Sequence, residues 1–187
     1  MRALTILLAI GALAAAGAAV WYLEPFADDS DQASFEELEA LDPELAGSGC
    51  RRLAGVAARL AHQGGTPVRF LRELGRQVAG IRPPPRGYGD LARGGRNRVS
   101  GRGFLARYDD GTEGQPRHFA GIAVATTFVG GGSVTRWLSE NVRQDPAGSP
   151  DGRLTDEGVA FARAVLSGEL ALAEAPAWLL ENLCRRR

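Results

Sequence analysis

Every position from residue 3 to residue 23 is uncharged and nearly all are apolar, and the pattern breaks at Glu24. At 1.5 Å per residue, a helix of that length covers about 30 Å, the depth of a hydrocarbon core. The run reads as a membrane anchor or a signal peptide. Arg2 before it and acids after it place the start inside and the remainder outside, with Trp21 and Tyr22 as an interfacial aromatic pair. Ala16-Gly17-Ala18 has the small-x-small form of a cleavage site, so cleavage stays open beside anchoring. Either way residues 24–187 are exported. The expected location is a bacterial inner membrane with the domain on the periplasmic or extracellular side, or the periplasm or exterior if the signal is removed.

Beyond the acidic stretch 24–32, read as a tether, the apolar positions recur at helical spacing. Ser34 and Glu37 form a capping box for a short helix ending before Pro43. Leu53, Val56, Ala57 and Leu60 predict a helix from about 50 to 62, stopped by Gly64-Gly65. Thr66-Pro67 supplies an N-cap and an N1 proline for the next, about 67 to 79. Residues 80–103 lack a pattern and hold Pro83-Pro84-Pro85 and seven glycines, which predicts a long Gly/Arg/Pro-rich loop. Pro116 then opens a helix to about 129 that has almost no polar face and is therefore expected to be central and buried. Further helices are predicted from Ser133 to about Arg143, from Thr155 to about Leu166 after a loop at 145–152, and from Pro176 onward. No segment alternates with period 2. The expected fold is all-α: residues 1–23 as anchor or signal, 24–32 as tether, and 33–187 as one compact envelope domain of about six or seven helices.

Charge adds to this picture through its distribution, because the formal net charge is zero. All 22 basic residues are Arg. Residues 24–45 carry nine acids and no base, whereas residues 51–107 carry thirteen Arg against Glu73 and Asp90. The overall balance excludes nucleic acid as a partner on electrostatic grounds. Arg86, Arg93, Arg96, Arg98 and Arg102 in the basic loop are candidate binding residues for an anionic lipid or an envelope protein, and packing against the acidic 24–45 segment is the competing structural reading. Cys50 and Cys184, the only cysteines, are free to pair in an oxidising compartment. Such a bridge contributes about 3 to 5 kcal/mol in the chain-entropy model; two separate buried thiols are the alternative.

Metal and cofactor motifs are absent, and none is expected: two histidines cannot build a multi-histidine zinc site. Asp151-Gly152 fails as a calcium loop because Ala147 and Ser149 occupy ligand positions. His62 reads as a helix C-terminal cation. His118 begins the most apolar helix, where an imidazole needs a polar partner. With Glu140 and Asp156 it forms a candidate catalytic set for general acid-base work, set against a purely structural network with Arg117.

The string Tyr108-Asp-Asp-Gly-Thr-Glu-Gly-Gln-Pro-Arg-His-Phe119, followed by Ser139-Glu140 and by Asp151 and Asp156, resembles uncharacterised bacterial exported and toxin-associated helical modules. The resemblance covers roughly residues 104–168. It implies a helical fold and a site of His118, Glu140 and one of Asp151 or Asp156, with Ser139 departing from the His expected beside the glutamate. The leading expectation is a non-catalytic envelope accessory protein acting through its surface. A small hydrolase centred on His118, or a binder of anionic lipid through the Arg-rich loop, are the alternatives.

Overall fold

The computed structural model describes residues 47–128, 146 and 148–186. The apolar run 3–23, the acidic stretch, the helices expected near 34–41 and 133–143, and Glu140 lie outside the described residues. Within them the chain is all-α, with α1 (Gly49–Gln63), α2 (Pro67–Ala79), α3 (Arg86–Ala92), α4 (Gln115–Phe128), α5 (Pro150–Ser167) and α6 (Ala175–Leu183). Short 3-10 turns precede α4 and α6, at Ala106–Tyr108 and Leu172–Glu174. The only β-type pairing described is an isolated bridge between Phe104 and Cys184. Among the described residues no helix is long and apolar enough to cross a membrane.

The helix starts follow from side chains that satisfy otherwise unpaired N–H groups. Ser48, Thr66 and Ser149 each accept from the backbone N–H three residues on, at 3.4, 3.2 and 3.0 Å. Ser149 with Pro150 at the first turn starts α5 five residues earlier than Thr155, where the sequence pattern placed it. The N-cap chemistry was present in Ser-Pro, but the surrounding Pro, Gly and Asp residues read as a loop.

α4 is the centre of the fold: every residue in it except Arg117 and Thr127 is buried. A helix without a polar face is stable only when neighbours cover it on several sides, and α2 and α5 do so. Glycines on those neighbours set the spacing. A Cβ on Gly75 of α2 would stand 2.6 Å from Val124, and one on Gly158 of α5 would stand 2.9 Å from Ile122. The hydroxyls of Thr126 and Thr127 donate to the helix's own carbonyls at Ile122 and Val124, which removes their cost of burial. Phe161 fills the space between helices, its ring centroid 5.3 Å from Phe119 and 5.2 Å from Trp178, with Phe70 at 6.4 Å.

The two ends of the described chain meet at a disulfide between Cys50 on α1 and Cys184 after α6, both buried. Residues 102–105 run between them: Arg102 carbonyl accepts from Cys50, Leu105 donates to the Leu183 carbonyl, and Arg185 donates to the Gly103 carbonyl.

The stretch 80–103 differs from the expected long loop. Asp90 lies buried beneath it and accepts from the Arg82 backbone at 3.1 Å and from the Arg82 guanidinium at 2.8 Å twice over. Tyr88 meets Phe128 edge-on at 5.6 Å, and Gly87 packs where a Cβ would stand 2.1 Å from the Arg82 carbonyl oxygen. These tertiary contacts form α3 from a Gly-containing sequence with little intrinsic helical preference. Beyond α3, Gly95 donates to the Asp90 carbonyl, Arg96 to that of Ala79 and Arg98 to that of Val78, so the remaining loop is tied to the end of α2.

Truncation of Phe161 to Ala should lower the unfolding free energy by about 3 to 5 kcal/mol, out of about 5 to 15 for a domain of this size. Arg96→Ala, which keeps its backbone hydrogen bond to Ala79, should change it by less than about 0.5 kcal/mol. Urea denaturation of the two variants compares them directly, and coincident curves would place Phe161 outside the core.

Candidate functional site

Two regions contain the residues that the sequence singled out. The first is a polar seam where the 3-10 turn 106–108, the start of α4 and the first half of α5 meet. His118 sits in the first turn of α4, 9 % exposed, and its Nε2 lies 2.9 Å from the Thr155 hydroxyl. Gln115, one turn earlier, donates through Nε2 to the Tyr108 carbonyl and to Asp151 Oδ1 at 3.1 Å. Tyr108 donates its phenolic O–H to Glu157 at 2.7 Å. Four hydrogen bonds therefore run across the seam, each satisfying a buried or half-buried polar group, as a low-dielectric location requires.

Asp156 falls at the next position after Thr155 and is exposed on α5. The buried positions of this helix recur at 155, 158, 159 and 162, so the periodicity that marks Val159 and Ala162 as core also turns Thr155 inward. Reading Thr155 as the opening residue of its helix hid that signal. Asp151, half-buried, pairs with Gln115.

An imidazole within hydrogen-bond distance of a hydroxyl has the geometry of a base and a nucleophile. Thr155, however, is 1 % exposed, and a nucleophile must meet an acyl or phosphoryl centre about 3 Å away. Both groups here are spent on holding α4 to α5. Burial, and next the Glu157 carboxylate that holds its proton, push the Tyr108 phenol up to about 12. Among the described residues no group of three or more His, Cys, Asp and Glu side chains is placed to hold a metal ion.

The second region is the arginine face of residues 82–102. Arg82 and Arg93 both reach Asp90 Oδ1, at 2.8 and 3.3 Å, and their side chains remain 45 % and 71 % exposed. The Arg82 guanidinium holds the Asp90 carboxyl well below the usual range, overcoming desolvation that acts in the opposite sense. Arg86, Arg96 and Arg98 are exposed. Arg102 is separate from this group: its Nη2 donates to the Gly111 carbonyl, in the turn that carries Asp109, Asp110 and Glu113.

No protein-family model matches the chain, and comparison with curated proteins and with solved structures finds no match to it.

Two pH dependences follow. The native pKa of Asp90 lies below that of the unfolded chain, so its stabilising contribution is complete above about pH 4 and is lost as pH falls toward the depressed native value. Asp90→Asn should cost about 1 to 3 kcal/mol at neutral pH and should flatten the acid loss of stability below about pH 4; an unaltered acid slope would remove Asp90 from that role. Tyr108 has the opposite sign. Its contribution is complete below about pH 10 and declines as pH rises toward about 12. Tyr108→Phe should cost about 1 to 2 kcal/mol at pH 7 and weaken the alkaline decline in thermal stability, whereas wild-type behaviour on the alkaline side would contradict this assignment.

Proposed function

We propose that this chain is an exported or membrane-anchored helical accessory protein of the bacterial envelope, acting through its surface. The observation that carries the reading is the buried disulfide between Cys50 and Cys184. Structural disulfides persist in oxidising compartments and are rare where thiols are kept reduced. That chemistry agrees with the apolar run at residues 3–23 and the acids that follow it. The sealed state of the His118 and Thr155 pair supports action by the surface over hydrolysis, because a hydrolase centred there needs its imidazole or hydroxyl open to substrate.

Thiol trapping in intact cells tests the compartment. Alkylation with a mass tag should add nothing before reduction and two tags after it. A reporter active only in the cytoplasm, fused after Arg187, should remain silent. Tagging of both cysteines without reduction together with an active reporter would overturn the reading.

A further inference from the structure

We propose that Arg82, Arg86, Arg93, Arg96 and Arg98 form a preorganised face for anionic phospholipid headgroups, a reading that rests on the export and anchoring proposed above. The residues gather around the C-terminal end of α2 and the short α3. Gly80 ends α2 in the left-handed conformation, and a Cβ built there would stand 3.0 Å from Arg96 Cβ and 3.4 Å from Arg98 Nε. Arg82 lies two residues beyond Gly80 and shares Asp90 with Arg93. Two guanidiniums thus share one buried carboxylate, Arg96 and Arg98 lie beside Gly80, and Arg86 opens α3.

Stability accounts for Arg82 and Arg93 only in part, through Asp90, and not for Arg86, Arg96 and Arg98. A cation near a helix C-terminus ordinarily serves the last carbonyls, but here backbone donors already occupy three of the last four, those of Arg76, Val78 and Ala79. Gly80 donates to Arg76, Ile81 to Gly75, Arg98 to Val78 and Arg96 to Ala79. The same bonds hold the loop backbone in place, so little ordering remains when a ligand arrives. Arg86, Arg96 and Arg98 have no carboxylate partner among the described residues, and Asp90 cannot neutralise Arg82 and Arg93 together. Their positive charge is left facing outward.

Phosphate matches the planar fork of a guanidinium, which can donate two parallel hydrogen bonds to it. The covalent connection selects the lipid form of that chemistry. From Leu23 to Gly49 the chain can reach at most about 90 Å even when fully extended. An anchored chain therefore keeps this face near a bilayer at an effective concentration on the order of millimolar, where individually weak headgroup contacts suffice. Arg102, committed to the acidic turn at Gly111, is not part of the face.

The test uses the full chain in nanodiscs of phosphatidylcholine alone or of phosphatidylcholine with phosphatidylglycerol. Because all the basic side chains are Arg, an arginine-selective dicarbonyl reagent read by mass spectrometry reports on each of them. In the anionic discs at low salt, labelling of Arg86, Arg93, Arg96 and Arg98 should slow by about threefold or more, and high salt should restore it. Labelling of the exposed Arg153 and Arg186 should stay the same in both discs. Arg96→Gln with Arg98→Gln, which leaves the backbone ties intact, should release the protection of Arg86 and Arg93. Equal labelling in the two lipids would overturn the proposal. So would equal protection in both, which would mean that something other than lipid, such as the chain's own acidic residues 24–45, covers the face. Insertion into neutral discs reports the anchor and the reporter fusion reports the compartment, so a failure of the export reading is told apart from a failure of this one.

Discussion

The burial of α4 on nearly all sides is the constraint from which the rest of the arrangement follows. Its sequence offers no solvent face, so its neighbours must approach closely enough to exclude water along most of its length. The steric solution is on the neighbours. Val124 and Ile122 keep their branched side chains because Gly75 and Gly158 have none. Each glycine costs backbone entropy in a helix interior, about 1 kcal/mol relative to Ala, which the close approach of two apolar surfaces offsets. Larger residues at either position would push α2 or α5 off α4, and the ring cluster around Phe161 would open with them.

The polar seam at His118 is the counterpart of this apolar packing. A helix buried along its length still begins somewhere, and α4 begins where Gln115 and His118 carry polar atoms into a region almost closed to water. Thr155, Asp151 and the Tyr108 carbonyl receive or donate the hydrogen bonds that make that burial tolerable. An unpaired group at any of these positions would incur a desolvation penalty. The seam therefore fixes the register of α4 against α5 by a requirement that apolar contacts alone do not impose, since those contacts tolerate repacking.

Periodicity made α1 and α2 legible to within a residue or so, because their caps and stops are local: Ser48, Thr66-Pro67, Gly64 and Gly80 act on the backbone beside them. The central place of α4 was legible for the same reason, from its missing polar face. What the pattern missed depends on distant partners. α3 exists because Asp90 is drawn under Arg82 and Tyr88 rests on Phe128, and nothing within residues 86–92 announces either contact. The close-approach role of Gly75 and Gly158 was equally hidden, since an isolated helical glycine gives no hint of what lies opposite. His118 was recognisable as needing a partner, but its described partner is a threonine on the core face, and a search for carboxylates passes over it.

Segregated charge connects the core to the surface. A small helical core leaves the end of α2 and its carbonyls near solvent, and a loop must return there to satisfy them. Arg96, Arg98 and Val99 do so with backbone N–H groups; Val99 also packs into the core, while the side chains of Arg96 and Arg98 are left exposed. Asp90, the one acid in this stretch, is buried as an anchor for α3 and two arginines. At the positions whose backbone alone makes the tie, the side chains are presented without cost to the core, and here those at 96 and 98 are arginine. The disulfide acts on the opposite logic, joining α1 to the segment after α6 by a covalent constraint that needs no specific packing around the basic face. Stability and surface chemistry thus meet only at Asp90, held by Arg82 and Arg93, which leaves Arg86, Arg96 and Arg98 able to vary while the α2, α4 and α5 core stays fixed.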